Sequence, residues 1–374
     1  MFDEPSSAPR DRQGGPLVTS AASATAPLPR VTVVIPVRNE AKYIGRNLEA
    51  VLGQDYPPDR LEILVADGMS NDGTQDIVRG VAQRIAATGG ATVGLVENPE
   101  RIMPTGTNAA IRRATGDVIV LLGGHAQLPS NYLRTCVATL METGADCVGG
   151  SLVSVGDGPV GETIAAAMSS PFGIGNSGFR TASTGGPIEA DTVPFGAYRI
   201  AVFRRIGLFN PNMVRHQDYE FNFRLRQSGG RMLLLPAMKA TYHVRGNLGA
   251  LWRQYWQYGI WKGRFLRRFP QSLRVRHLVP SFFAAMLVLC AVLAPFIHIL
   301  IVPLAILAFA YLGFMVAAIV SFALQGRWRV LPYLPAVMVC LQLSYGLGVW
   351  LGLAMPRVPD APRLDAEPRP SPSA

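Results

Sequence analysis

The strongest constraint on how this chain can fold is a group of three apolar runs towards its C-terminal end, 278–300, 301–322 and 331–355, none of which contains Asp, Glu, Lys or Arg. Each, as a helix rising about 1.5 Å per residue, is long enough to cross a hydrocarbon layer about 30 Å thick. Pro295, His298 and Pro303 fall around the join of the first two, which predicts a tight hairpin there. One such run also suits the buried helix of a soluble protein. Three so close together predict an all-helical membrane region of about three spans over 278–355.

The basic residues orient these spans. Arg264, Arg267, Arg268, Arg274 and Arg276 precede the first run, Arg327 and Arg329 separate the second from the third, and the link between the first two has no Arg or Lys. Arg and Lys stay on the cytoplasmic side of the spans they flank. Residues 1–277 are therefore expected in the cytoplasm, the spans in the inner membrane, and a flexible tail, 356–374, on the far side. With no charged residue to line a path, the spans are expected to anchor the chain rather than form a transporter.

A formal charge of +10 raises nucleic acid as a partner. Much of that excess lies beside the apolar runs, where attraction to anionic lipid accounts for it. No zinc-finger spacing, glycine-tipped RNA clamp or basic–aromatic repeat is present, so no nucleic-acid partner is expected. Cys136, Cys147, Cys290 and Cys340 make no CxxC pair, which indicates neither a disulfide framework nor a zinc site. Residues 1–29 mix Pro, Ser, Ala, Gly and charges without an apolar segment, and read as a flexible tail rather than a signal peptide.

Between tail and spans, 30–247 alternates strand and helix patterns. Val31–Val37 and 61–66 are apolar runs that suit strands buried on both faces, and 92–96 and 117–122 continue the series, with helices between them. This predicts an open, mostly parallel α/β sheet whose ligand crevice lies beyond the carboxyl ends of its strands. Arg38-Asn39-Glu40, Asp67-Gly68 and Gly123-Gly124-His125 all follow strands and share that rim. Further strands are expected at 146–155, 193–200 and 232–235, helices at 131–142, 161–170 and Gln217–Gln227, and a mobile loop over the site at 170–191. The segment 248–277 begins with six aromatics among basic residues in Leu248–Arg268, a composition that suits a helix lying in the membrane interface.

The rim residues carry the chemistry. A carboxylate at a strand end can accept hydrogen bonds from a base or ribose, and Asp67 is the first candidate, with Glu40 beside it; either can instead cap the following helix or brace its loop. Asp218, at the start of a helix whose Phe221, Phe223 and Leu225 indicate burial, is placed to act as a general base, or else only to cap that helix, with Glu220 facing solvent. His125 can ligate a divalent ion or contact a diphosphate; Mg²⁺ prefers oxygen ligands and Mn²⁺ tolerates imidazole better. His216 and His243 are further candidates for phosphate or acceptor contacts.

With these residues laid out, the chain resembles the inverting family 2 glycosyltransferases of the GT-A fold over about residues 30–270. Val31–Val37 with Arg38-Asn39-Glu40 looks like their opening strand and nucleotide-contacting acid, and Asp67-Gly68-Met69-Ser70-Asn71-Asp72-Gly73-Thr74 like their nucleoside-binding loop. His216-Gln217-Asp218 stands where they carry a Glu-Asp pair whose aspartate is the catalytic base. The resemblance implies a nucleotide-sugar donor held by Pro36, Glu40, Asp67 and Gly68, with Asp218 as base. Within the family, Pro171-Phe172-Gly173, Pro194-Phe195-Gly196 and Tyr258-Gly259-Ile260-Trp261-Lys262-Gly263 resemble the ExoA-like membrane glucosyltransferases of succinoglycan assembly. That implies transfer of glucose or another hexose, from a donor with uridine as base, to a polyprenyl-linked saccharide. Other polysaccharide assembly proteins are implied partners.

Gln257 and Trp261 are similar to the Gln-x-x-Arg-Trp signature that binds acceptor and diphosphate in processive relatives, with Ile260 in place of the arginine. The family's Asp-x-Asp or Asp-x-His is here Gly123-Gly124-His125, so a carboxylate that would hold Mg²⁺ or Mn²⁺ is missing; Asp191 is a candidate replacement. Gln217 also removes an acidic neighbour from Asp218. These departures leave two other readings open, a polyprenyl-phosphate sugar synthase and an inactive nucleotide-sugar-binding scaffold.

Overall fold

Val31–Val37 is apolar and β-branched on both sides, so it is stable only where both faces are covered. In the computed structural model, which describes residues 27–124, 126–175, 178–181, 185–273 and 275–363, it forms the almost wholly buried strand β1. The chain continues through α1 (Ala41–Leu52), β2 (Leu61–Asp67), α2 (Thr74–Thr88), β3 (Thr92–Glu97), α3 (Met103–Arg113) and β4 (Val118–Leu121). β1 pairs in parallel with β2 and β4, and β2 with β3. Parallel strands joined by helices bring every strand-to-helix corner to one edge, so the loops after Val37, Asp67, Glu97 and Leu121 share a rim.

The second half comprises α4 (Tyr132–Thr143), β5 (Cys147–Val155), α5 (Gly158–Met168), the short α6 (Pro171–Ile174) and α7 (Gly178–Thr181), β6 (Ile188–Glu189), β7 (Ala197–Arg199), α8 (Ile200–Ile206), α9 (Gln217–Gln227) and β8 (Met232–His243). The sheet order is β3-β2-β1-β4-β7-β5-β8-β6, with β7 antiparallel to both its neighbours. Alternate residues of β1 serve opposite faces: Val33 and Ile35 join Leu48 and Leu133 in one apolar cluster, and Val34 joins Ile111, Phe203 and Phe221 in the other.

Several elements differ from the sequence reading. The strand expected at 193–200 is three residues long and turns at once into α8. The strand expected at 232–235 runs on to His243 after a register shift opposite Gly150 and Ser151. The stretch 170–191, expected as a mobile loop, contributes two helical turns and the edge strand β6, which pairs with β8.

Four helices end the chain: α10 (Leu248–Arg268), α11 (Val275–Leu293), α12 (Ile301–Leu324) and α13 (Leu334–Ala354). His298–Leu324 and Leu334–Ala354 are long and apolar enough to cross a membrane, and Val279–Leu293 is a shorter apolar helix. α10, expected to lie in the membrane interface, packs lengthwise on α13. A Cβ at Gly259 would stand 2.2 Å from the Tyr345 carbonyl oxygen, and one at Gly352 2.0 Å from that of Ile260, so only glycine permits the approach. Residues 356–363, expected as part of a flexible tail on the far side, return to the soluble domain. Val358 is buried with Met213, Phe223 and Phe265, and Arg268 bonds the Val358 carbonyl and pairs with Asp360.

Candidate active site

Asp67 is the last residue of β2 and is 1% exposed. Its Oδ2 accepts from the Ser70 amide at 2.9 Å and the Gln75 side chain at 2.6 Å, while Oδ1 is buried without a partner. Asp67 thus braces its loop and still presents an unmatched acceptor. It does not cap α2. That work falls to Asp72, which accepts from the Thr74 amide at 3.1 Å and from the Ala41 amide at 3.0 Å. The Thr74 hydroxyl, first among these donors, holds the Asp72 carboxyl below its usual range.

The neighbouring corners are laced to this loop. The Asn39 amide donates to the Ser70 hydroxyl at 2.8 Å, the Glu40 amide to the Thr74 hydroxyl at 2.9 Å, and the Gly68 amide to the Val37 carbonyl at 2.8 Å. Glu40 precedes α1 without capping it through its side chain. Its Cγ lies 3.2 Å from where a Cβ on Gly124 would stand, which brings the β1 and β4 corners together. Pro36 is the one residue of β1 that is not fully buried. Backbone strain gathers here as well. Among the described residues, Asn39, Met69, Arg101, Phe195 and His216 are the non-glycines with positive φ, and each sits in a loop entering or leaving this region.

Asp218 is the second residue of α9, and Gln217 reaches Met103 at the start of α3 with its amide 2.9 Å from Sδ, which places this helix end at the rim. The Asp218 carboxylate accepts from the Tyr219 amide at 2.8 Å. Its side chain is exposed to solvent, yet protein surrounds it at longer range. Desolvation pushes its carboxyl above the ordinary range, with the Tyr219 N–H pulling the other way. Glu220, which would face solvent if Asp218 only capped the helix, is buried: it pairs with Arg224 at 2.7 Å, and Arg224 also donates to the Leu208 carbonyl at 2.7 Å, fixing α9 to the segment after α8.

His216 Nε2 lies 2.9 Å from the Tyr258 carbonyl oxygen on α10. A carbonyl only accepts, so the ring is the neutral tautomer carrying its proton on Nε2. Burial, and then the charge of Lys262, push its pKa down to about 4. Gln257 accepts from Arg215 at 3.2 Å, and Trp261 is covered by the Arg264 guanidinium 4.4 Å from its ring. Trp252, Arg253, Trp256 and Gln257 line a surface cavity of about 400 Å³ on α10. The sequence reading missed Tyr258 and Lys262. Lys262 is 2% exposed, with Nζ 3.7 Å from the centre of the Tyr219 ring, and the four-residue spacing of the pair on α10 was the available signal.

Asp191 accepts from Arg226 at 3.0 Å. His125 lies outside the described residues. Among the described residues no three His, Cys, Asp or Glu side chains converge, so they do not build a metal site of their own. His243 is exposed at the end of β8.

Residues 32–207 match the model of "Glycosyl transferase family 2". The succinoglycan biosynthesis protein ExoA of Rhizobium meliloti is 28% identical over 327 residues, 85% of this chain and 93% of that protein. A dolichyl N-acetyl-α-D-glucosaminyl phosphate 3-β-D-2,3-diacetamido-2,3-dideoxy-β-D-glucuronosyltransferase of Methanococcus voltae is 28% identical over 244 residues, 64% of this chain and 74% of that one. In architecture the chain is similar to the mannosyltransferase PcManGT of Pyrobaculum calidifontis, solved with GDP-Man and Mn²⁺, with a TM-score of 0.56 and 21% identity across 85% of this chain and 87% of that one. The parallel sheet, the acidic corners on its rim and these likenesses agree: the chain is a transferase that carries a glycosyl transferase family 2 domain over residues 32–207.

Proposed function

We propose that the chain inverts the anomeric centre of a hexosyl group, glucose by likeness to its relatives, as it moves that group from a nucleotide-sugar to a lipid-linked saccharide in exopolysaccharide or cell-envelope glycan synthesis. The observation that carries this reading is the unmatched, buried Oδ1 of Asp67 at the rim, an acceptor suited to an imide N–H or a ribose hydroxyl. Glu40, Pro36 and Gly68 flank it as the rest of the nucleotide pocket, with uridine as base by family likeness. Asp218 takes the proton from the acceptor hydroxyl. That oxygen attacks the anomeric carbon, and the bond to the diphosphate breaks on the opposite face with its electron pair on the leaving group. A carboxyl whose pKa is raised is a stronger base than one in the ordinary range, in keeping with this role.

The relatives' names, one of succinoglycan biosynthesis and one of transfer to a dolichyl glucosaminyl phosphate, favour a polyprenyl-linked acceptor over a soluble one. Gln257, Trp261 and His216 stand along the route from the aromatic cavity on α10 to Asp218, as acceptor and diphosphate contacts. The apolar helices would hold the chain in the inner membrane with the catalytic domain in the cytoplasm, within reach of other assembly proteins. Gly123 supplies no ligand, so Mg²⁺ or Mn²⁺ would be held through His125 and the donor.

The test is transfer of labelled sugar into extractable lipid by membranes bearing wild type or Asp218→Asn, with a panel of donors and with Mg²⁺, Mn²⁺ or chelator. Transfer from one donor that collapses in the variant is the expected result. Transfer unchanged in folded Asp218→Asn would remove the base assignment, and a product with the mass of a single-sugar phosphodiester would replace the saccharide acceptor by polyprenyl phosphate.

A further inference from the structure

α13 is apolar and 21 residues long, about 31 Å as a helix, so by length alone it reads as a span. Its contacts argue otherwise. At its start, Leu334 is buried with Ile164 and Ala167 of α5, and the Thr163 hydroxyl donates to Val330 just before it at 3.4 Å. Further on, the Gln342 side chain donates to the Phe172 carbonyl of α6 at 3.3 Å. At its end, Arg267 donates to the Met355 carbonyl at 2.8 Å. The segment beyond then runs back over the catalytic domain, where Pro359 accepts from Asn210 at 2.6 Å and Pro362 from the Leu208 amide at 3.0 Å. Both ends of α13 therefore rest on one soluble domain. α10 packs along it from Leu248 against Cys340 to Arg267 against Met355 and carries Arg253, Lys262, Arg264, Arg267 and Arg268, while the start of α11 meets it where Trp350 donates to the Ser281 carbonyl at 2.8 Å. Those charges are costly to place in hydrocarbon, and α13 cannot enter it without α10.

α11 and α12 behave differently. They form a hairpin, with Phe283 stacked on Tyr311 at 4.8 Å, and its tip points away from the domain with Phe296 80% and Phe309 74% exposed. No charged residue occurs from 277 to 326, and Arg327, Trp328 and Arg329 follow at the end that meets α5. Half of the apolar stretch of α13 is buried in the protein, against 6% of that of α12.

We propose that the α11–α12 hairpin is the whole of the bilayer-inserted part, that the α10–α13 pair lies on the catalytic side of the membrane, and that residues 356–363 share that side with the catalytic domain. The partner surface is a lipid bilayer, so the inference extends the membrane part of the reading above; its test needs no turnover. Cys136, Cys147, Cys290 and Cys340 are all buried, so a single added cysteine can be read against a low background with a membrane-impermeant maleimide on the full chain in sealed vesicles of either orientation. Asp360→Cys and Arg357→Cys should label from the same face as Glu142→Cys in the catalytic domain, and Phe296→Cys should not label from that face. Tail cysteines reached only from the opposite face, or from neither, would overturn the proposal. So would a Phe296→Cys reached from the catalytic face, which would put the hairpin outside the bilayer. Thermal unfolding matching wild type would establish that each variant is folded.

Discussion

The ring of His216 and the backbone of Tyr258 meet at 2.9 Å, which ties the residue before α9 to the middle of α10, two positions from the proposed base. His216→Ala frees that corner. Because small misplacement of a catalytic group is expensive, transfer should fall about 10–100-fold in kcat with little change in KM for the donor. Equal kinetics in variant and wild type would show that the contact positions nothing. The same contact has a pH signature. The folded ring is depressed to about 4 from its ordinary 6.5, so its stabilisation is complete above 6.5 and is lost as pH falls towards 4, where the folded ring also charges. Wild type should lose more stability than His216→Gln between pH 7 and pH 5 in parallel denaturant titrations.

Asp218 shifts the other way. Its folded carboxyl is raised above 3.8, so the stability it contributes is present below that value and is lost as pH rises through the higher folded pKa. At neutral pH the ionised group is a cost to the fold. Asp218→Asn should therefore unfold at a higher temperature than wild type at pH 7, the difference closing below pH 3.8, while transfer drops by about 100-fold or more. A variant that loses activity and stability together would point to a capping role.

Asp67→Asn keeps the shape of the corner but replaces one of its oxygens with an NH₂ group. The bonds from Ser70 and Gln75 both go to Oδ2, so one amide orientation preserves the loop and turns a donor towards the position of Oδ1. Losing a hydrogen bond between a donor and a charged acceptor is worth about 1.5–3 kcal/mol. Nucleotide affinity, measured by calorimetry, should weaken by at least about tenfold with the fold intact. Unchanged affinity would remove Asp67 from the pocket.

How much of this was legible beforehand follows from the range of each interaction. β1, β2, α9 and α10 were readable because their signals are local: β-branched runs, a strand-end carboxylate, a helical apolar face. Asp67 and Asp218 were readable because a loop motif or helix start carries them. The pairing of Glu220 with Arg224 had a visible four-residue spacing, but its burial depends on Leu208 and Ile206 from another element. The course of 356–363 was not readable at all. Its anchors, Val358 among aromatics and Arg268 on the Val358 carbonyl, join positions about ninety residues apart, and nothing periodic announces them. The glycines of α13 carry no signal of their own in the sequence, because their role depends on Gly259 and Gly263 of α10 packing against them.

Gly123 stands where the family resemblance implies an aspartate, and the fold has not closed over the gap. Among the described residues a Cβ there would meet nothing nearer than Ala126 and Phe195, both 3.9 Å away, and φ lies outside the left-handed region. Gly123→Asp should therefore fold normally and add a carboxylate to the rim. Nucleotide affinity in Mn²⁺ relative to chelator should rise about tenfold over the wild-type ratio, the scale of one charged contact. An unchanged ratio would mean that the rim does not direct this position at the diphosphate.

The α10–α13 seam makes its own prediction, with a control in the same chain. Alanine is favoured over glycine in a helix by about 1 kcal/mol, so Gly→Ala in open space should be neutral or stabilising. Gly313 on α12 is such a place, with nothing within 4 Å of an added Cβ. At Gly352 that Cβ would stand 2.0 Å from the Ile260 carbonyl oxygen, and backbone cannot rotate away as a side chain can. Gly352→Ala must therefore push α13 off α10 and should cost about 1–3 kcal/mol or more. Because Tyr258 on α10 also holds His216, transfer should fall with stability in Gly352→Ala and keep its wild-type level in Gly313→Ala. Thermal unfolding and transfer assays on the two detergent-solubilised variants check both halves. Equal behaviour of the pair would mean that the seam neither stabilises the chain nor supports the base segment.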